Sequence, residues 1–295
     1  MTEKFISRDA CINCGSDDVN TLSSGKFGDQ PLRQFIENDP TGEDPMPYLE
    51  DCVWEFMQCT QCSQMYHRYI ATPETDHLHF NVWSSKEAIE EYEKSRKNFN
   101  SYIEHGKRHV SHILRLYDLF NKDRQLKLLD FGCGWGAFIT MCKGFGIDAH
   151  GVDKSVGRRD GAYVEIYPSI EDIKQKDFNA VTMFEVLEHV TNPLEILKDL
   201  AELMLPGGVL ILETPDCTGV TGINDYQSYL NIHPLEHING FTPLTLESIA
   251  KRAGFSKIRK SVAHVTSSRV QLLKKETRGI LQGFIPTTQL YFRKI

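Results

Sequence analysis

The sequence predicts an α/β protein: a doubly wound, mostly parallel sheet of seven strands, preceded by a small cysteine-bearing N-terminal domain. Three observations lead there. From Leu126 onward, strand-length apolar runs alternate with helix-length runs, which is how a parallel sheet covered on both faces is written. The first of those runs is followed by a glycine-rich segment, Asp130-Phe-Gly-Cys-Gly-Trp-Gly136. Ahead of the alternation lie two C-x₂-C pairs, Cys11-Ile-Asn-Cys14 and Cys59-Thr-Gln-Cys62.

Residues 1–80 make the first domain, irregular and rich in Asp, Gly and Pro. A C-x₂-C knuckle turns tightly enough for both thiolates to bind one tetrahedral ion, and two knuckles complete a closed Cys₄ zinc site. Cys11, Cys14, Cys59 and Cys62 are therefore the expected ligands, with Gly15 easing the first turn. No coordination position stays open, so the zinc is expected to be structural and to supply stability that a small polar domain cannot draw from its core. The 44 residues between the pairs exceed zinc-finger spacing and should elaborate a ribbon. Cys52, Cys133, Cys142 and Cys217 lack paired spacing and read as core or loop residues.

Residues 81–125 form a helical connector, with Phe99, Tyr102, Ile103, Val110, Ile113, Tyr117 and Phe120 at three- and four-residue steps. Residues 126–295 form the main domain. Its strands are expected at 126–131, 147–152, 162–167, 179–184 and 209–213, with two late ones near 257–265 and 288–293. Helices are expected near 137–145, 169–175 and 193–205. Pro206-Gly-Gly208 reads as a stop and turn before the fifth strand. Thr242 to Glu247 reads as a capped helix start, with the helix ending at Gly254. Residues 266–287 read as loop plus short helix.

Composition narrows the function classes. Of 295 residues, 40% are apolar and 25% charged, ordinary for a globular protein. No apolar run approaches the roughly 18 residues that span a bilayer. The first residues lack a signal-peptide core, so a cytoplasmic location is expected, and there cysteines serve as metal ligands or buried thiols. Residues 1–80 hold 14 Asp or Glu against 5 Lys or Arg, a net of −9. That is a poor electrostatic partner for nucleic acid. No feature encodes the oligomeric state.

Strand, glycine loop, helix, strand and acid describe the nucleotide-binding half of a doubly wound domain, the acid being Asp153, 23 positions beyond Asp130. In dinucleotide folds a diphosphate sits on the helix N-terminus, and the Asp130 carboxylate would repel it. The last glycine also follows the second by two residues, where the dinucleotide fingerprint has three. A ligand with an ammonium and a sulfonium but no phosphate suits this loop, and S-adenosylmethionine is such a ligand.

The segment from Leu126 to about Arg293 resembles class I S-adenosylmethionine-dependent methyltransferases. The resemblance is carried by Leu-Leu-Asp-Phe-Gly-Cys-Gly-Trp-Gly136, His150-Gly-Val-Asp153, Phe184-Glu-Val-Leu-Glu-His-Val190 and Leu205-Pro-Gly-Gly208 running into Leu-Ile-Leu-Glu-Thr-Pro215. It implies a Rossmann-like sheet with the cofactor over the glycine loop. Gly132, Gly134 and Gly136 let backbone approach the cofactor. Asp130 meets its amino group, and Asp153 the ribose hydroxyls. The adenine lies near Tyr167 to Ile170, while Phe184 and Glu185 border the methionyl end. The resemblance makes Glu188 and His189 mainly structural.

Past the fifth strand come Asn224-Asp-Tyr-Gln-Ser-Tyr229 and His233-Pro-Leu-Glu-His-Ile-Asn-Gly-Phe241. A histidine in such a loop can take a proton at neutral pH, and a neighbouring carboxylate raises its basicity. Glu236-His237 followed by an aromatic at 241 resembles the Glu-His pair of zinc-containing sugar C-methyltransferases, which share the order of cysteine domain, methyltransferase core and loop. That resemblance implies His237 as general base, Glu236 as its assistant, and Tyr226 or Tyr229 as substrate-positioning residues. His233 is a further candidate. Reading His233 and His237 as metal ligands is disfavoured, because Pro234 interrupts a helix between them and no third ligand is evident.

That family carries a further C-terminal α/β domain that helps hold a nucleotide-linked sugar, and the expectation is a relative lacking it. The expected activity is methyl transfer from S-adenosylmethionine to carbon or oxygen of a small polar metabolite, a nucleotide-linked sugar among the options. One alternative is an RNA methyltransferase using the zinc domain for recognition, which the net −9 and a further −2 from a Cys₄ zinc oppose. Another is a non-catalytic zinc and cofactor-fold interaction module, which the intact glycines, Asp130 and Asp153 oppose.

Overall fold

The computed structural model describes residues 4–39, 42–83, 99–120, 125–259 and 287–295. Its strands are β1 (Phe5–Ser7), β2 (Val19–Lys26), β3 (Val53–Cys59), β4 (Met65–His67), β5 (Tyr69–Ala71), β6 (Lys127–Phe131), β7 (Asp148–Val152), β8 (Phe178–Phe184), β9 (Met204–Glu213), β10 (Asn239–Gly240), β11 (Phe255–Ile258) and β12 (Gln289–Lys294). The chain folds into two compact units. Unit 1 comprises residues 1–96, 185–196 and 214–249; unit 2 comprises residues 97–184, 197–213 and 250–295.

Unit 2 is built on a mixed sheet of order β11-β12-β9-β8-β6-β7. The strands β6, β7, β8 and β9 run parallel, while β12 is antiparallel to both β9 and β11. Leu128, Leu129, Val181, Leu210 and Ile211 are fully buried, as continuous apolar runs in a covered parallel sheet require. The helix Phe99–Leu119 buries Ile113 and Leu116 in a core shared with Phe138, Ile139 and Cys142 of the helix Ala137–Gly144.

Several elements differ from the sequence expectation. The strand expected at 162–167 shrinks to one parallel bridge between Val152 and Tyr167. Its residues hold little apolar surface inside, with Tyr163 almost fully exposed. The helix expected at 169–175 is a single 3₁₀ turn, Ile170–Asp172, since too few apolar residues give it a face to bury. Pro206-Gly-Gly208 does not precede β9 but lies within it, where the register with β8 shifts between Phe178 and Ala180. The late strands occupy Phe255–Ile258 and Gln289–Lys294. Residues 84–98 and 121–124 of the connector, and the expectations for 260–286, lie outside the described residues. No helix among the described residues is long and apolar enough to cross a membrane.

Unit 1 holds a four-stranded antiparallel sheet of order β10-β4-β3-β2 and a two-stranded pair of β1 and β5. Strand β10 comes from the segment after β9 and sets Asn239 opposite Tyr66 and Gly240 opposite Met65. Residues read from sequence as a loop of the main domain are thus hydrogen-bonded to the cysteine-bearing sheet. Phe27, Leu32, Ile36, Leu49 and Phe56 pack with Cys217, Tyr229 and Ile232 in one core.

Candidate active site and metal centre

The residues expected to hold the cofactor fall in unit 2. Strand β6 ends at Phe131, and Gly132, Gly134 and Gly136 all adopt positive φ, at 74°, 57° and 78°. L side chains rarely take this conformation. A Cβ on Gly136 would sit 2.5 Å from Val164 Cγ2, whereas one on Gly134 would meet nothing within 4 Å. The loop thus keeps open space over Gly134, as a bound cofactor requires. Asp153 accepts from the Gly134 amide at 2.8 Å and the Ser155 amide at 2.9 Å, which fixes its carboxylate beside the loop.

Asp130 is buried and accepts from the Thr182 hydroxyl at 2.6 Å. Burial, with the Asp153 charge adding to it, pushes its carboxyl up to about 7 against the pull of that hydrogen bond. Two buried acids beside a glycine loop form a site that favours a cation, and the ammonium of S-adenosylmethionine fits it. Phe184 ends β8 and packs its ring on His112 and Phe138, centroids 4.6 and 5.2 Å away. Glu185, the next residue, has a left-handed backbone with φ of 56°, a conformation that is held at a cost and clusters at functional sites.

Sequence patterning missed a buried polar network in this unit. His112 contacts the Tyr291 hydroxyl through Nδ1 at 2.6 Å, and Arg108 pairs with Glu213 at 3.1 Å. Burial alone would raise the Glu213 carboxyl, but His112, Arg108 and Gln289 together bring it down to about 2. His112 lies on the apolar face of its helix, where a histidine carries no distinguishing spacing.

The candidate zinc ligands are in unit 1. The Cys11 and Cys62 sulfurs are 3.5 Å apart, as are those of Cys14 and Cys59, and all four lie within 4.8 Å of one another. Tetrahedral zinc with Zn–S near 2.3 Å sets sulfurs about 3.8 Å apart, so this set fits the ion. The two knuckles are built alike. The Gly15 amide donates to the Cys11 carbonyl and the Ser63 amide to the Cys59 carbonyl, and both residues have positive φ, 78° and 60°.

The residues proposed from the loop also lie in unit 1, in a cluster of histidines and acids. His237 packs its ring on His189, centroids 4.7 Å apart, and its Nδ1 is buried without a hydrogen-bond partner among the described residues. Burial pulls its imidazole below the ordinary value, with Glu236 opposing. Glu236 contacts His79 Nε2 at 3.1 Å. His233 uses both ring nitrogens: Nδ1 accepts from the Leu235 amide at 3.1 Å, and Nε2 lies 3.4 Å from Asp39. Tyr229 is buried and donates its hydroxyl to Asp39, while Tyr226 is 42% exposed.

Arg8 holds this segment in place, donating to the carbonyls of His67 and Ile238 and to Asn239 Oδ1. Asn239 in turn donates to the carbonyls of Leu187 and Val190. That bond draws in the turn bearing buried Glu188 and His189, so the ligand atoms of Glu188, His189 and His237 come within 4.8 Å of one another. Residue spacing alone shows no third potential ligand beside His237. Nor did it mark Asp39 and His79, which lie more than 150 residues from their partners.

The profile of the family described as Methyltransferase domain matches residues 100–260, more than half of the chain. The ubiquinone biosynthesis O-methyltransferase of Rickettsia canadensis (strain McKiel) is 25% identical over 217 residues, 66% of this chain and 86% of that protein. Its counterpart from Rickettsia prowazekii (strain Madrid E) is 26% identical over 217 residues, 67% of this chain and 81% of that protein. Among solved structures, the plantazolicin methyltransferase BpumL in complex with SAH superposes with a TM-score of 0.50 at 14% identity, over 74% of this chain and 93% of that one, a likeness of fold. The chain belongs to the Methyltransferase domain family and is an S-adenosylmethionine-dependent methyltransferase.

Proposed function

We propose that the protein transfers the methyl group of S-adenosylmethionine to oxygen or carbon of a small polar metabolite, with His237 as general base. One observation carries this: among the described residues His237 Nδ1 is buried without a hydrogen-bond partner, on an imidazole whose affinity for a proton burial lowers. A neutral imidazole with an uncommitted nitrogen can take the acceptor's proton as the methyl moves. His233, with both nitrogens engaged, holds Asp39 in place instead. Glu236 supports the base, Tyr226 offers its exposed ring to the acceptor, and Tyr229 positions Asp39. The names of the Rickettsia relatives favour oxygen as the atom methylated.

Asp130, Gly132, Gly134, Gly136, Asp153, Phe184 and Glu185 hold the cofactor in this proposal. In sequence terms, residues 1–80 are a domain built on structural zinc, 81–125 a connector and 126–295 the methyltransferase domain. Free thiols suited to zinc favour a cytoplasmic setting. The acidic N-terminal segment disfavours RNA as substrate.

Incubating the protein with methyl-labelled cofactor and fractionated small-molecule extract tests the proposal. His237→Ala should cut label transfer by about 10²–10⁴-fold while calorimetric binding of S-adenosylhomocysteine is retained. Full transfer by the variant would remove His237 as base.

A further inference from the structure

The helix Tyr226–Asn231 ends at Ile232 without a glycine, and Pro234 follows two residues on. The last carbonyls of a helix have no partner inside it. Three side chains from elsewhere in unit 1 take them here. His67 Nε2 lies 2.8 Å from the Ile232 carbonyl, and the Cys217 thiol donates to the Asn231 carbonyl at 3.7 Å. The His237 ring hydrogen-bonds the carbonyls of Leu230 and Asn231, which support its hold on a proton against burial.

A carbonyl only accepts, so each imidazole carries its proton on the nitrogen that faces one. For His67 that nitrogen is Nε2. For His237 it is also Nε2, because Nδ1 has no hydrogen-bond partner among the described residues. The bond made by one ring nitrogen thus fixes the state of the other. With Nε2 protonated, Nδ1 keeps the lone pair that a base needs.

His67 is suited to be a constant donor. It is fully buried, with the rings of Trp54 and Phe56 at 6.2 and 5.1 Å between centroids, and burial drives its imidazole down to about 3. It therefore stays neutral at physiological pH with one proton to give. It sits on β4 opposite Phe56 of β3, and Arg8 donates to its carbonyl. At the other end of the helix, Asp225 accepts from the Ser228 amide at 2.7 Å and the Ser228 hydroxyl accepts from the Asp225 amide at 2.9 Å. Both ends of this short helix are pinned.

We infer that His67 is a positioning residue for methyl transfer: by holding the Ile232 carbonyl it fixes the helix end whose carbonyls keep His237 in the Nε2–H tautomer, leaving Nδ1 to take the acceptor's proton. This deepens the reading of His237 as base and rests on it.

Long-range proton–nitrogen NMR on the zinc-loaded full chain, with isotopically labelled histidine, tests it. The His237 signals are identified by their loss in His237→Ala, or in His237→Gln should the first fold poorly. At pH 8 the wild type should show a pyridine-like Nδ1 and a pyrrole-like Nε2 at both His237 and His67. His67→Phe keeps an aromatic ring and removes the donor. Zinc content and S-adenosylhomocysteine affinity should be unchanged in it. Its His237 nitrogens should move toward the averaged shifts of two exchanging tautomers, and label transfer should fall by about 2- to 10-fold. His67→Asn, whose amide stops short of Ile232, serves should the Phe variant fold poorly. His67→Gln, whose amide nitrogen reaches as far as Nε2, should restore both readouts.

A proton on His237 Nδ1 in the wild type would overturn the inference. So would His237 signals that stay put when the His67 donor is removed, or that His67→Gln fails to restore. His237→Ala retaining methyl transfer would sink the base proposal without altering the tautomer measured in the wild type, so the two failures are distinguishable.

Discussion

His79 and Glu236, 157 residues apart in the chain, are joined by a 3.1 Å contact between Nε2 and Oε1. Burial would raise the Glu236 carboxyl. The hydrogen bond from His79, with the charges of His233, His79 and His189, holds it well below the ordinary range instead. Glu236 is therefore an anion at neutral pH, and that anion opposes the effect of burial on His237. An N-terminal side chain thus acts on the proposed base through a carboxylate.

Glu236→Gln should therefore lower the basicity of His237 further. The rising limb of the kcat/KM–pH profile, where the imidazole loses its proton, should move to lower pH. The plateau above it should fall by about 10- to 100-fold, because a weaker base removes the acceptor's proton less well. His79→Gln, which can still hydrogen-bond Glu236, should give a smaller shift. An unmoved profile in Glu236→Gln would make the pair purely structural.

Asp130 yields a prediction with the opposite dependence. Its folded value near 7 exceeds the ordinary 3.8 because burial, reinforced by the Asp153 charge, disfavours the anion. The unfolded chain gives up this proton near pH 4, while the folded one keeps it until about 7. The group's contribution to stability should therefore fall as pH rises from about 4 to about 7 and stay level above. Bound S-adenosylmethionine, pairing its ammonium with the carboxylate, should raise the thermal midpoint more at pH 8 than at pH 6. Asp130→Asn should abolish that difference and remove a charge-assisted hydrogen bond of about 1.5–3 kcal/mol, a loss of about 10- to 100-fold in affinity by calorimetry.

Gly134 and Gly136 should separate binding from folding. Alanine at either position is held at positive φ at a cost of roughly 1–2 kcal/mol. At Gly134 the new methyl enters open space, so the protein should stay folded while cofactor affinity drops more than about tenfold. At Gly136 it meets Val164 Cγ2 at 2.5 Å, a β-branched side chain with little freedom to turn. That variant should lose a further 1–3 kcal/mol to overpacking, visible as a lower midpoint even without cofactor.

The glycine-loop half of the fold was legible because its determinants are local. A strand end, three glycines and two acids sit within 24 residues, and backbone conformation follows from residue type. The Cys₄ set was legible because C-x₂-C fixes its own turn, and Ser63 at φ 60° repeats what Gly15 does at 78°. The histidine cluster was legible only in part. Glu236 and His237 stood out as neighbours, but Asp39, His79 and Glu188 reach it through β10 pairing with β4 and through Asn239. Long-range pairing of two-residue strands leaves no periodicity to read. The 162–167 strand was overread for a related reason, since an apolar run does not reveal whether anything covers it.

Zinc should be present at one ion per chain, and its removal should act on the proposed base. The apparent binding free energy of a structural zinc, about 10–16 kcal/mol, matches or exceeds the whole stability of a typical domain, about 5–15 kcal/mol. Cys59 ends β3, and β3 pairs with β4, which pairs with β10 two residues past His237. Cys59→Ser should lose the metal by elemental analysis and expose the amides of β3, β4 and β10 to hydrogen exchange. Methyl transfer should disappear as His237 loses its anchor, while the glycine loop of unit 2 should still bind S-adenosylhomocysteine. Two ions in the wild type, with one lost in His237→Ala, would instead place a cation on Glu188, His189 and His237 and end that residue's role as a proton acceptor.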